Sequence, residues 1–429
     1  MNFNRLRKIQ LLLTLLTGSI AAFAQTGIDS PYSRFGVGMT QNKNTNARFQ
    51  AMGGVSNAMT SIRVVNPSNP ATYTSFDSLS FIFNAGFNGS SVTYRTTTQT
   101  EQGTNATLSY VTMGFPVTRW WRSSLGLLPY SQVGYNIKLS FYDEQIGRYN
   151  KVFKGTGGLN EVYWGNGFKI SDHFSAGVNA NYIFGRNTNS ILLYSPDSAY
   201  YANTKTESRL QVSDFLLDYG ILFKHGLGNK LDLNIGLTYS QKVNLSVKRE
   251  YLVRSMFGGV DDGVEYILDT IDYRPKEKGT IILPDGLGFG FSLVKQNRWL
   301  VGMDLNWKNW EKYKVFGSND SLNNSWNVAL GGQFTPNNTS ISGYWKRVSY
   351  RMGTRYEHTY IQLLGEPINE FGISFGVGLP LPRTNTTIDV SAEIGRRGTT
   401  NKNLIQETFV NFTLGVSIYE RWFEKRRYN

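Results

Sequence analysis

His173, His225 and His358 are the only histidines in this 429-residue chain, and it contains no cysteine. Two of them fall in short polar turns and the third in an alternating stretch, so no set with metal-ligand spacing forms and neither a metal nor a cofactor is expected. A Ser-His-acid triad is defined by geometry rather than spacing, and no motif here points to one, so no catalytic residue is assigned. The chemistry that the pattern does place is charge. Asp218, Asp232, Asp304, Lys308, Asp389 and Glu393 each lie on the polar side of an alternating segment. Buried charges persist only with partners. These six should therefore either line a polar conduit or hold something in place through hydrogen bonds.

The elements that must position them read as strands. Leu231, Leu233, Ile235, Leu237 and Tyr239 alternate with Asp232, Asn234, Gly236, Thr238 and Ser240; Val301, Met303, Leu305 and Trp307 alternate with Gly302, Asp304, Asn306 and Lys308. The same division recurs over 387–394 and 411–418. A soluble sandwich alternates too, so the number and length of segments must decide. About fourteen segments between 78 and 420 reach the roughly 9–11 residues that cross a bilayer at a tilt. Short turns near Ser171–His173, 225–229, 295–298 and 381–386 alternate with longer polar stretches expected to be external loops, 187–207, 251–277 and 313–323. That asymmetry, and an even strand number, belong to outer-membrane barrels. Trp120, Trp121, Trp307, Trp310, Tyr344, Trp345 and Trp422 fall near presumed strand ends, where interfacial girdles form.

An open sheet edge in lipid leaves backbone groups unsatisfied, so the strands must close on themselves. The expected fold is an all-β, transmembrane, 14-stranded antiparallel barrel in the outer membrane of a Gram-negative bacterium. Residues 1–24 have a basic start (Arg5, Arg7, Lys8), an apolar run and Ala22-Phe23-Ala24, the anatomy of a secretory signal. The formal charge of +13 suits contact with outer-membrane lipids and lipopolysaccharide rather than nucleic acid. The last residues, 421–429, form a basic tail with Trp422, Arg426 and Arg427, expected at the periplasmic rim.

Several stretches together resemble one family: Asn66-Pro67, Asn69-Pro70-Ala71, LGLLPYSQVGYNI from Leu125, LNEVYWGNGFKISDHFSAGVNANYIFG from Leu159, LPDGLGFGFSL from Leu283 and YRMGTRYEHTYIQL from Tyr350. In their order they resemble the FadL family of outer-membrane proteins, in its Bacteroidota branch. The resemblance implies a barrel blocked by an N-terminal hatch, here residues 25–77, that binds or passes hydrophobic small molecules when the hatch rearranges or a path opens sideways into lipid. Similar Bacteroidota barrels serve instead as non-transporting subunits of machines, such as the β-barrel assembly complex or type IX secretion, and both readings stand at this point. Gly53, Gly54, Arg63, Asn66, Pro67, Asn69, Pro70 and Ala71 are the candidate hatch residues. Arg63 is the lone charge between Arg48 and Asp77 and is expected to meet an inward carboxylate. Leu128, Tyr130, Val133 and Tyr135 break strict alternation, either to put apolar groups inside or through a bulge near Pro129.

Overall fold

A computed structural model describes residues 30–40, 46–145, 147–197, 201–296, 298–340 and 343–421. The expected signal, residues 25–29 of the expected hatch and Trp422, Arg426 and Arg427 of the tail lie outside the described residues. Fourteen strands form the wall: β1 Ser80–Arg95, β2 Thr100–Pro116, β3 Trp121–Asp143, β4 Gly147–Lys169, β5 Phe174–Tyr194 and β6 Asn203–Gly226. β7 runs in two arms, Leu231–Ser240 and Val243–Gly258, as does β8, Glu265–Leu283 and Gly286–Lys295. β9 Trp299–Lys308, β10 Ser325–Phe334, β11 Ser349–Leu363, β12 Glu366–Pro380, β13 Thr387–Gly398 and β14 Gln406–Arg421 complete it. β14 pairs antiparallel with β1 from Gln406↔Arg95 to Arg421↔Ser80, which closes the barrel.

The apolar faces read from the sequence point outward. Leu237, Val301, Met303, Leu305, Ile394, Phe412 and Leu414 are all exposed, an apolar belt of the kind that lipid covers. The expected loops 187–207 and 251–277 are largely strand instead, over 187–194 and 203–207 and over 251–258 and 265–277. Their outward face carries Lys205, Glu207, Arg209, Glu250, Arg254 and Glu265 in mutual ion pairs. With charge in place of apolar residues there is no alternation to read, and the ladder stayed invisible in the sequence.

Two interruptions mark the wall. β2 and β3 pair only from Val111↔Leu127 to Pro116↔Arg122. Beyond that, residues 100–110 and 128–143 share no ladder, although each strand stays bonded to its other neighbour. A two-residue strand, Met39–Thr40, pairs with Gln132 and Ser131 on the free edge of β3. The register of β3 on β4 shifts between Pro129 and Ser131, so the bulge is present, and Leu128 and Val133 are also buried. The second interruption separates Val212↔Val247 from Asp218↔Ser240 between β6 and β7. There the Asp214 carboxylate accepts a bond from the backbone N–H of Ser246 at 2.7 Å, serving a donor the ladder leaves open.

The described residues between Ser30 and Asp77, 30–40 and 46–77, pack against inward-facing residues of the wall. They hold three short turns of helix, Pro31–Arg34, Ala47–Gln50 and Pro70–Ser75. Ser30, Asn46 and Asn69 cap them through side-chain oxygens. Ala47, Phe49, Ala51, Met52, Val55, Ala58 and Met59 are buried, and Phe49, Met52, Val55 and Met59 cluster with Leu300 and Ala329 of the wall.

Candidate functional site

The seats beneath this segment are made of glycine. Gly167, Gly177 and Gly220 lie side by side across β4, β5 and β6. A Cβ on any of them would collide with the turn Asn69-Pro70-Ala71 or with the residues next to it. Gly331 and Gly353, paired across β10 and β11, do the same for Met52 and Gly53. Gly53 has φ +70°, which favours glycine, and its N–H donates to Ser374 Oγ at 2.8 Å. Gly54, at φ +84°, has open space around it and borders two internal chambers. Backbone cannot yield as a flexible side chain can. Gly353→Val should therefore destabilise the seated segment by about 1–3 kcal/mol, the usual cost of overpacking, and limited proteolysis near Met52 should become faster than in the parent.

Polar bonds fix the segment between these seats. Asn66 Nδ2 donates to the carbonyls of Ser56 (2.7 Å) and Met59 (3.1 Å), and Asn69 Nδ2 donates to those of Asn57 (2.7 Å) and Ile221 (3.1 Å). The Pro67 carbonyl accepts from Asn179 Nδ2 at 2.8 Å, while Pro70 and Ala71 lie on the glycine row. Asp304, 1% exposed, accepts from the backbone N–H groups of Ser56 (2.6 Å) and Asn57 (2.9 Å) and from Ser56 Oγ (3.2 Å). Arg63 corrects the expectation made for it: among the described residues its guanidinium forms no ion pair, and its carbonyl instead accepts from Asn84 Nδ2. The Asp304 carboxylate meets backbone amides rather than a cation, two N–H groups converging on its Oδ2 without a second buried charge.

The other inward charges divide. Asp389, 1% exposed, pairs with Arg351 at 2.6 Å. Glu393 pairs with Arg355 at 2.5 Å, and Arg355 also meets Glu370 and Glu357. Glu370 is shared with Arg397, which holds Glu407 at 2.8 Å; Ser30 Oγ donates to Glu407 at 2.5 Å and so joins the inner segment to the chain of charges. Asp218 accepts from Asn181 and from Ser240 Oγ. Asp232 does not belong with them. It sits at the short-turn end of β7 and accepts from Gln296 Nε2 at 2.8 Å, because the first inward position of a strand lies at the rim.

Two chambers remain beside the segment. One, of about 200 Å³, is bordered by Asn105, Thr107 and Ser109 on β2, Pro129 and Gln132 on β3, and the Arg355, Glu370, Arg397 and Glu407 network. The other, of about 140 Å³, is bordered by Tyr130, Glu161, Asp218, Lys308 and Trp310. Trp307 is exposed on the outward face, but Trp310 is 2% exposed and stacks on Tyr360 at 4.2 Å inside the barrel. A short helical turn over Trp310–Lys312 breaks the alternation and swings it inward. His173 and His225 come together at 5.6 Å, while His358 bonds Asn369; among the described residues no group of metal ligands forms. Sequence reading missed Arg351, Arg355 and Glu357, although their period of two through Tyr350–His358 places them on one face.

The sequence matches the model of one family, BamG, over residues 6–429. The chain belongs to the BamG family. No curated protein matches it in sequence. Solved structures with a similar fold include the Ralstonia pickettii toluene transporter TbuX, at 13% identity and TM-score 0.57, covering 89% of this chain and 99% of that one. A Pseudomonas aeruginosa FadL homologue gives 14% identity and TM-score 0.57 over 90% and 99% of the two chains. The Pseudomonas putida toluene transporter TodX gives 13% and 0.56 over 90% and 100%. At these identities the likeness is one of fold alone: this BamG-family chain shares the barrel fold of those three proteins.

Proposed function

We propose that this chain is a passive channel or binder for hydrophobic small molecules, with residues 25–77 as its hatch. The observation that carries the reading is the missing ladder between β2 and β3, which begins at the level of the exposed Leu108 and leads to the larger chamber. The two transporters named above take toluene, and the FadL resemblance adds lateral release. The chamber's polar lining suits the polar end of an amphipathic ligand better than a hydrocarbon alone. The reading includes an exported chain whose signal is residues 1–24, a Bacteroidota origin, and a periplasmic tail whose aromatic and basic residues lie at the lipid headgroups.

Continuing the register from Val111↔Leu127 would place Ser109 opposite Pro129. Ser109→Cys with Pro129→Cys, in a chain that has no other cysteine, should let a disulfide close the gap. Transfer of a hydrophobic fluorescent dye across the barrel in liposomes should then fall severalfold and recover on reduction. A stapled barrel that transfers dye at the parent rate would remove lateral passage.

Membership of the BamG family favours a second reading, a subunit of a multiprotein outer-membrane machine such as the β-barrel assembly complex. The many bonds that hold the inner segment, and the outer arm of β8, whose ladder to a second neighbour is confined to Ile281 and Ile282, favour it as well. Recovery of stoichiometric partners after mild-detergent extraction would decide for this reading over an autonomous channel.

A further inference from the structure

The outer wall carries a charge pattern that pairing within the chain does not neutralise. Tyr182 on β5 stacks on Phe184 at 5.8 Å and meets the exposed Phe215 of β6 at 4.9 Å, forming a stretch of aromatic girdle. Just beyond it, on the side away from the short turns, the ladders align four residues in one row. Arg186 of β5 stands opposite Gln211 of β6, Gln211 opposite Lys248 of β7, and Lys248 opposite Lys278 of β8. All four are exposed, whereas Ile183, Val212, Val247 and Ile281 on the other face of the same strands are buried, so the row points away from the lumen.

Neighbouring strands lie about 4.8 Å apart, so the two lysines confront each other directly. Like charges at such positions destabilise a sheet. Among the described residues none of Arg186, Lys248 and Lys278 forms an ion pair. The acids beside them in sequence, Glu250 and Glu277, are taken by Arg209 and Arg249. Further out, the cations of β6 and β7 pair with acids. These three cations thus put uncompensated positive charge in one row, one step above the aromatic rings that mark the edge of the lipid tails. We propose that this row is a seat for the phosphate groups of an outer-leaflet glycolipid, with Lys248 and Lys278 sharing one phosphate and Arg186 reaching a second.

The full-length barrel is purified as the parent and as Arg186→Gln/Lys248→Gln/Lys278→Gln. Each is offered bisphosphorylated lipid A or its dephosphorylated form, and retained lipid is counted by native mass spectrometry. The parent should retain the bisphosphorylated form at least about tenfold better, as expected where several basic groups meet an anionic surface. The triple variant should lose that preference, while neutralising three exposed cations of the short-turn side, Arg119, Lys230 and Arg298, should preserve it. Equal retention by the triple variant would overturn the proposal. So would displacement of the lipid by inorganic phosphate at equal concentration, which would show a general anion site rather than a lipid seat. Migration of the variant as a folded barrel in unheated detergent gels keeps loss of binding separate from loss of fold.

Discussion

Glu370→Ala should cost the barrel wall more stability than Asp304→Ala. Glu370 is 4% exposed and accepts from Arg355 and Arg397 together, so it joins β11, β12 and β13 through charge at the chamber wall. Removing it leaves Arg355 with Glu393 and Glu357, and Arg397 with Glu407. Two guanidiniums then lie in a buried site with the shared counter-charge gone. Breaking a buried ion pair from one side typically costs 3–5 kcal/mol, and the remaining carboxylates should hold the loss near the lower end, about 3 kcal/mol. Unfolding in urea, followed through the gel shift of folded barrels, measures it. Glu370→Gln keeps acceptors without the charge and should lose roughly half as much. A double-mutant cycle with Arg397→Ala separates the pair from cavity effects, since contacting partners couple by more than independent sites do. Additive losses would mean that the network contributes packing volume rather than charge.

How much of this was legible in the sequence follows from which physical signal each feature leaves. The wall was readable because lipid on one side and a polar interior on the other impose a period of two, and the outward residues Phe412, Leu414 and Ile394 sit as that period requires. The arms of β7 and β8 beyond the membrane were not readable, because ion pairs such as Lys205 with Glu265 put polar residues on their outer face as well. Trp310 was misplaced for a local reason: one turn of helix after β9 redirects a side chain that strand parity would leave outside. The inner glycines are plain in the sequence. Their role as flat ground for another backbone needs the third dimension, since nothing in the sequence of β4, β5 and β6 says that Gly167, Gly177 and Gly220 line up. Arg63 shows the limit of reasoning by charge. A lone cation suggested a carboxylate partner, whereas the carboxylate found its partners among amides that every residue carries.

Those amides make Asp304 the residue through which the seating of the inner segment can be tested apart from the barrel. The carboxylate lies on β9 and accepts three bonds from Ser56 and Asn57. Asn57 continues the connection, donating to Asn306 Oδ1 at 2.8 Å and accepting from Asn69 at its carbonyl. Asp304→Ala removes the acceptor that serves two buried backbone donors, and a lost buried bond costs about 1–3 kcal/mol. β9 keeps its ladders to β8 and β10, so the wall should survive. The loss should fall on the segment between Met52 and Asn69, which would exchange amide hydrogens faster and become open to protease while the barrel still migrates as folded. Single-channel conductance should rise above the parent's if that segment blocks the lumen. Asp304→Asn retains one acceptor oxygen without the charge and should fall between the two. Amide exchange in Asp304→Ala indistinguishable from the parent would mean that the glycine seats and apolar contacts hold the segment by themselves. Faster exchange without added conductance would instead describe a barrel whose inner segment can loosen without opening it, as a structural subunit would require.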